Sequence, residues 1–196
     1  IALLQAKDGK QLRLVSEDLL RFAHSQGLAM PLKVHYHAEL GENSGIAGLL
    51  RREWCTYDLN HDELCEYLQD NLTAKHTNGT LEEIDIPSLA SFISIPKDPS
   101  GVSSVRARLS AFNRWINSRL TECPRILWIE NIQWGHELLS WLKKVSLNHN
   151  SKLFILISYQ VKPHLVNQTE VHLEKADWFQ QRTVSLEEIK SFINYE

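Results

Sequence analysis

Two apolar runs in the second half of the chain predict buried strands. Residues 125–129 and 153–157 are nearly continuous stretches of aliphatic and aromatic side chains, the pattern of strands covered on both faces of a parallel sheet. Apolar residues at helical spacing lie between them: Leu138, Leu139, Leu142 and Val145. Two strands joined by one helix form a right-handed βαβ unit. The pattern therefore predicts an α/β fold in three layers, with a mostly parallel central sheet and helices on both faces.

Alternating apolar and polar residues predict further strands in the first half. Residues 32–40 alternate over their whole length, which is typical of a strand with one face toward a core. A shorter alternation at residues 11–15 predicts a brief strand, and residues 54–59 and 171–173 predict two more.

Apolar residues at steps of three and four predict the helices. The strongest pattern covers residues 102–120. Ser16 can cap a helix that ends at Gly27, and Asn60 with Glu63 forms a capping box. Ser185 with Glu188 forms a second capping box, which opens a final helix. The prolines and glycine of residues 96–101 predict a mobile loop.

Length and composition narrow the class of protein. We expect the 196 residues to form a single α/β domain, 1–196, with residues 1–30 as a potential N-terminal appendage. The first residue is Ile, so we expect a fragment of a longer chain. The net charge of −3 provides no general attraction for nucleic acid. No apolar run approaches the ~20 residues that span a bilayer, which predicts no membrane insertion.

Cysteine and histidine usage indicates a cytoplasmic protein without a metal centre. There are three cysteines, an odd number, with no C-x-x-C pair. His35 and His37 would share one face of a strand, but the sequence shows no third ligand of the kind that a metal site needs. We therefore interpret them as ordinary histidines and predict no resident metal.

The segment from residue 125 carries a resemblance to a known family. Residues 125–142 (RILWIENIQWGHELLSWL) resemble the Walker B strand and following helix of P-loop NTPases of the AAA+/STAND group. Residues 152–160 (KLFILISYQ) are similar to the next core strand, which ends in a polar sensor residue. The resemblance covers residues 102–196, about half of the chain. It implies that Glu130 takes the place of the acid that reaches the nucleotide's metal, with Ser158 among the nucleotide-binding residues.

The second acid of the motif and the phosphate loop both depart from the family pattern. Asn131 stands where a carboxylate would position water, and an amide cannot act as a general base. The nearest phosphate-loop candidate is residues 41–50 (GENSGIAGLL), with Gly41, Gly45 and Gly48 as nucleotide-binding candidates. It lacks the Lys and Ser/Thr that complete such a loop. Two interpretations stay open, a degenerate phosphate loop and a glycine turn without a ligand.

Two other features suggest binding surfaces. Trp134 and Trp141 are seven residues apart, so both could lie on one helix face and form a partner-binding patch, or both could be buried. Four arginines in residues 102–120 are typical of a solvated helix face or of a nucleic-acid contact.

Three functions follow. The first is a degenerate NTPase-like module without catalytic residues or a cofactor, which mediates protein–protein contacts, with a protein partner or in a homo- or hetero-oligomer, in a larger assembly. The second is an active AAA+/STAND-type ATPase that uses ATP and Mg²⁺ and is completed by another subunit or segment. The third, which the acidic charge disfavours, is a nucleic-acid-binding domain.

Overall fold

Four parallel strands form the sheet of the protein, in the order β1-β4-β3-β2. The computed structural model describes residues 2–6, 9–27, 31–37, 43–74, 84–94, 102–120, 125–146 and 153–160. The strands are β1 (Ala2–Ala6), β2 (Leu32–His35), β3 (Arg125–Glu130) and β4 (Leu153–Gln160). The predictions for residues 96–101, for residues 171–173 and for the helix opened by Ser185 lie outside the described residues.

The predicted α/β fold is confirmed, and β3 and β4 are neighbouring strands as the pattern indicates. Ile126 lies opposite Phe154, and Glu130 lies opposite Ser158. Residues 126–129 of β3 are all buried, so both faces of this strand are covered. Helix α6 (His136–Ser146) connects β3 to β4.

Helix α1 (Gly9–Ser25) covers one face of the sheet. Its Leu19 and Ala23 pack against the even-numbered residues of the strands, Ile126, Trp128 and Leu156. Helix α1 leads the chain from β1 at one edge of the sheet to β2 at the other edge, whereas α6 leads it in the opposite direction, from β3 to β4. Because both crossovers follow the right-handed rule, this order places α6 on the opposite face.

The prediction of a strand at residues 11–15 was wrong, because this segment belongs to α1. Its buried positions, Leu12, Ser16, Leu19 and Ala23, recur at helical steps, whereas Leu14 is 66% exposed. Within residues 1–30, which the sequence suggested as an appendage, Ala2–Ala6 form β1 and Gly9–Ser25 form α1, and both contribute to the sheet and its cover.

A set of helices lies between β2 and β3 in the chain. It comprises α2 (Gly45–Trp54), α3 (His61–Ala74), α4 (Ile86–Ala90) and α5 (Val105–Leu120). Trp115 contacts Trp54 edge-on and stacks on Phe112 within their core. Residues 54–59 do not form the predicted strand, because the left-handed backbone of Cys55 (φ 54°) ends α2 there. The Asn60–Glu63 capping box is confirmed by hydrogen bonds in both directions.

The sequence predicted one domain, and the chain divides into two compact units. The first contains residues 1–39 and 123–196, and the second contains residues 40–122. Within the part of the chain that the structure describes, no helix is long and apolar enough to cross a membrane.

Candidate functional site

Glu130 ends β3 at the carboxyl edge of the sheet, where the resemblance places an acid. Its side chain is 12% exposed, and its Oε2 lies 2.9 Å from Lys33 Nζ and 2.5 Å from His35 Nδ1. The strand register explains this contact, since His35 lies opposite Glu130 and Lys33 is two residues earlier on the same face of β2. The carboxylate is therefore held by two side chains from the neighbouring strand.

Lys33 is itself fixed by an aromatic ring. Its Nζ lies 4.0 Å from the ring centroid of Trp128, the residue opposite it on β3. An ammonium over an indole face is attracted by the ring quadrupole. Lys33 therefore bridges the Trp128 ring and the Glu130 carboxylate.

A second ion pair lies on α1, which covers this face of the sheet. Arg13 Nε donates to Glu17 Oε1 at 2.8 Å. That hydrogen bond holds the pKa of the Glu17 carboxyl below its usual value. The charge of Arg13 interacts with Glu130, and that of Glu17 interacts with Lys33, so the pairs on α1 and on the strands belong to one charged cluster.

Asn131 connects the carboxyl ends of three strands. It has a left-handed backbone (φ 56°, ψ 46°), which Asn adopts more readily than most residues. Its backbone N–H donates to the Ser158 carbonyl at 2.8 Å, and its Nδ2 donates to the Tyr36 carbonyl at 3.2 Å. The Tyr36 N–H donates in turn to the Glu130 carbonyl. The amide at the second acid position thus serves the architecture of this edge.

Tyr36 is enclosed by the turn after β3. It is 2% exposed, and its hydroxyl donates to Glu137 Oε1 at 3.3 Å. Burial raises the pKa of Tyr36 far above its usual value, and the nearby Glu137 carboxylate adds to the shift. A Cβ on Gly135 would lie 2.5 Å from the Tyr36 ring, so only glycine leaves room for the ring.

The side chain of Ser158, the proposed sensor residue, also has a hydrogen-bond partner within the protein. It is 2% exposed, and its Oγ accepts a hydrogen bond from Trp128 Nε1 at 3.1 Å. The structure therefore brings three of the predicted site residues, Glu130, Asn131 and Ser158, to one edge of the sheet and gives each a protein partner.

The glycines proposed as a phosphate loop belong to the other compact unit. Gly41 lies outside the described residues. Gly45 is the first residue of α2 and has φ +65°. A Cβ on Gly48 would lie 2.1 Å from the Asn43 carbonyl oxygen, so this glycine permits the close approach of the turn before α2. These contacts favour the interpretation as a glycine turn without a ligand.

The pattern of apolar residues predicted neither β1 nor the start of α1. β1 lies beside β4, and α1 follows it with Gly9 and Lys10 as its first residues. Lys10 is exposed. The signal was a Gly-Lys pair shortly after the apolar segment ALLQA, the order in which a phosphate loop places its lysine.

The two tryptophans of the predicted partner patch differ in exposure. Trp141 is 3% exposed and contributes to the core, whereas Trp134 is half-buried. Trp141 therefore offers no surface to a partner here, because helix α6 turns its apolar side inward.

A metal ion does not fit this edge of the sheet. The rings of His35 and His37 have centroids 4.3 Å apart, yet His35 is directed to Glu130. In the stretches that the structure describes, no three His, Cys, Asp or Glu side chains are grouped so that they could hold a metal. The Mg²⁺ that the resemblance implies would have to displace Lys33 and His35 from the carboxylate.

Comparison with known proteins yields no match to a family model, to a curated protein or to a solved structure. The residues at the carboxyl edge of the sheet are therefore the basis for proposing a function.

Proposed function

We propose that the chain is a P-loop NTPase-like module of the AAA+/STAND type that does not hydrolyse nucleotide. Its role is regulatory or scaffolding, through protein–protein contacts inside a larger cytoplasmic assembly. The observation that carries this proposal is the Glu130 carboxylate, held by Lys33 and His35 where the family would use an acid to reach a metal.

The neighbouring position supports the same proposal. Hydrolysis requires a group that orients or deprotonates the attacking water. The Asn131 side chain donates to the Tyr36 carbonyl and has no basic atom to accept a proton. Both acidic positions of the motif are thus occupied by residues with structural roles.

Phosphate release from ATP and Mg²⁺ tests this function. We expect no release above buffer from the wild type or from Glu130→Gln. The variant should lower the free energy of unfolding by about 1–3 kcal/mol, because Lys33 loses its charged partner. Glu66→Gln is the control, since Glu66 is exposed on α3. Turnover by the wild type that E130Q abolishes would contradict the proposal and favour the active ATPase.

A second candidate function, nucleotide binding without turnover, is favoured by Gly9 and Lys10. The N-terminus of a helix binds phosphate through its free N–H groups and its dipole. In doubly wound sheets, ligands bind at the carboxyl edge of the strands. Gly9 and Lys10 follow the carboxyl end of β1, which β4 separates from β3.

Titration calorimetry with ATP tests this second function. We expect Lys10→Met to weaken binding about tenfold or more, since one charge-assisted phosphate contact is lost. Lys144→Met is the control, because Lys144 is exposed near the end of α6. Equal affinities of the two variants would contradict binding at α1.

A further inference from the structure

Two hydrogen-bond donors already converge on one oxygen of Glu130. Lys33 Nζ and His35 Nδ1 both contact Oε2, and the side chain of Glu130 is nearly nine-tenths buried. A carboxylate at such depth requires a counter-charge, because desolvation of an unpaired charge is costly. The protein supplies that charge from its own neighbouring strand.

The position of Lys33 is determined by more than its attraction to the carboxylate. The register of β2 on β3 sets it opposite Trp128, and the indole face lies under its ammonium. Mg²⁺ prefers nearly octahedral oxygen coordination and loses its water reluctantly. To bind here it would have to displace an ammonium that has two partners.

We infer that Lys33 takes the place of a divalent cation at Glu130, so that this edge of the sheet functions without magnesium. This inference rests on the proposed function, because only the resemblance to P-loop NTPases suggests that Glu130 stands where an acid would reach a metal ion. It adds that any phosphate ligand at this edge is bound in its metal-free form.

Thermal unfolding with the metal alone as the probe tests the inference. Lys33→Met keeps an apolar stem over Trp128 and removes the charge, so the Glu130 carboxylate keeps only its contact with His35. We expect 10 mM MgCl₂ to raise the Tm of K33M by roughly 2–4 °C, because a cation that binds the folded state stabilises it. The wild type should show no shift relative to NaCl of the same ionic strength.

Three variants make the result specific. Lys144→Met should behave as the wild type. The double variant K33M with Glu130→Gln should lose the magnesium effect, because the carboxylate that would bind the ion is gone. Lys33→Arg keeps the charge, so it should remain insensitive to magnesium. If K33M does not fold, Lys33→Gln replaces it with the same expected rescue.

Two results would overturn the inference. One is stabilisation of the wild type by MgCl₂ beyond the NaCl control, and the other is an absence of magnesium rescue in both Lys33 variants. A fluorescent ATP analogue gives the second measurement. Because MgCl₂ draws the analogue into its magnesium complex, wild-type affinity should be about tenfold or more weaker in MgCl₂ than in EDTA. Equal affinity in the two solutions would overturn the inference. Tenfold tighter binding in MgCl₂ would also overturn it. ATP turnover, by contrast, bears on the proposed function.

Discussion

The ring of Tyr36 has room because residue 135 is a glycine and has no Cβ. Gly135 has φ −107°, a backbone that any residue adopts, so only the ring of Tyr36 excludes a side chain there. The sequence shows a glycine after Trp134 and a tyrosine in an alternating segment, but not that they touch. Contacts between residues a hundred positions apart depend on strand register.

Gly135→Ala is expected to lower the free energy of unfolding by about 1–3 kcal/mol, because the new Cβ overlaps the buried Tyr36 ring. Urea titration measures this loss. Ser140→Ala, at an exposed position of α6, is the control and should change stability by less than about 0.5 kcal/mol. A G135A protein as stable as the wild type would show that the ring does not fill this space.

The raised pKa of Tyr36 gives stability a dependence on alkaline pH. The unfolded chain loses the tyrosine proton near its usual pKa of about 10, whereas the folded protein keeps it. Because the folded state then binds more protons, the free energy of unfolding falls as pH rises through this value. The contribution is fully present below pH 10.

Tyr36→Phe isolates this effect. The stability difference between the wild type and Y36F should decrease by about 1.4 kcal/mol for each pH unit above about 10. Urea titrations from pH 8.5 to pH 11 measure the difference. A difference that stays constant over this range would mean that Tyr36 ionises equally in both states.

Among the elements, those with long or strongly apolar patterns could be predicted from the sequence. β3, β4, α3 and α5 are such cases, and the capping residue Asn60 was identified from local chemistry alone. β1 was not predicted, because five residues with a single polar position, Gln5, carry little periodicity. The strand prediction at residues 54–59 failed because Cys55 has a left-handed backbone. A cysteine in the sequence does not indicate this conformation.

The candidate site could be predicted only in part. An acid after a buried run indicates the carboxyl edge of a sheet, and Glu130, Asn131 and Ser158, which the resemblance singles out, do lie together there. Their partners Lys33 and His35 depend on which strand lies beside β3 and in which register. Neither is encoded locally, and the ion pair that determines the proposed chemistry was therefore not predicted.

Asn131→Asp tests the connection between the strand ends. Asp tolerates the left-handed backbone, but its carboxylate cannot donate to the Tyr36 carbonyl and would face it with like charge. We expect a loss of about 1–3 kcal/mol in the free energy of unfolding, together with no gain of ATP turnover. Asn117→Asp, exposed on α5, is the matched control. Turnover by N131D would show that only a missing acid prevents hydrolysis.

At the scale of the whole molecule, charge argues against nucleic acid as the partner. The net charge is −3, and arginines of α5 have contacts within the protein. Arg108 lies over the Phe92 ring, and Arg119 donates to Glu53 at 3.1 Å. The helix therefore has less positive surface than its sequence indicates.

Fluorescence anisotropy with a labelled DNA duplex measures this directly. We expect no binding at about 150 mM NaCl and no effect of Arg106→Gln, because non-specific affinity comes from several phosphate contacts made together. Binding that weakens steeply with added salt, and weakens further in R106Q, would instead support the nucleic-acid function.

The sheet order has a consequence for biosynthesis. β1 is made before the other described strands, yet its partner β4 is the last of them, with Ala2 opposite Leu156 and Ala6 opposite Gln160. During translation β1 therefore has no pairing partner until β4 has left the ribosome. Because such distant pairing is slow and leaves apolar strands unprotected, chaperones should bind the nascent chain mainly in this interval.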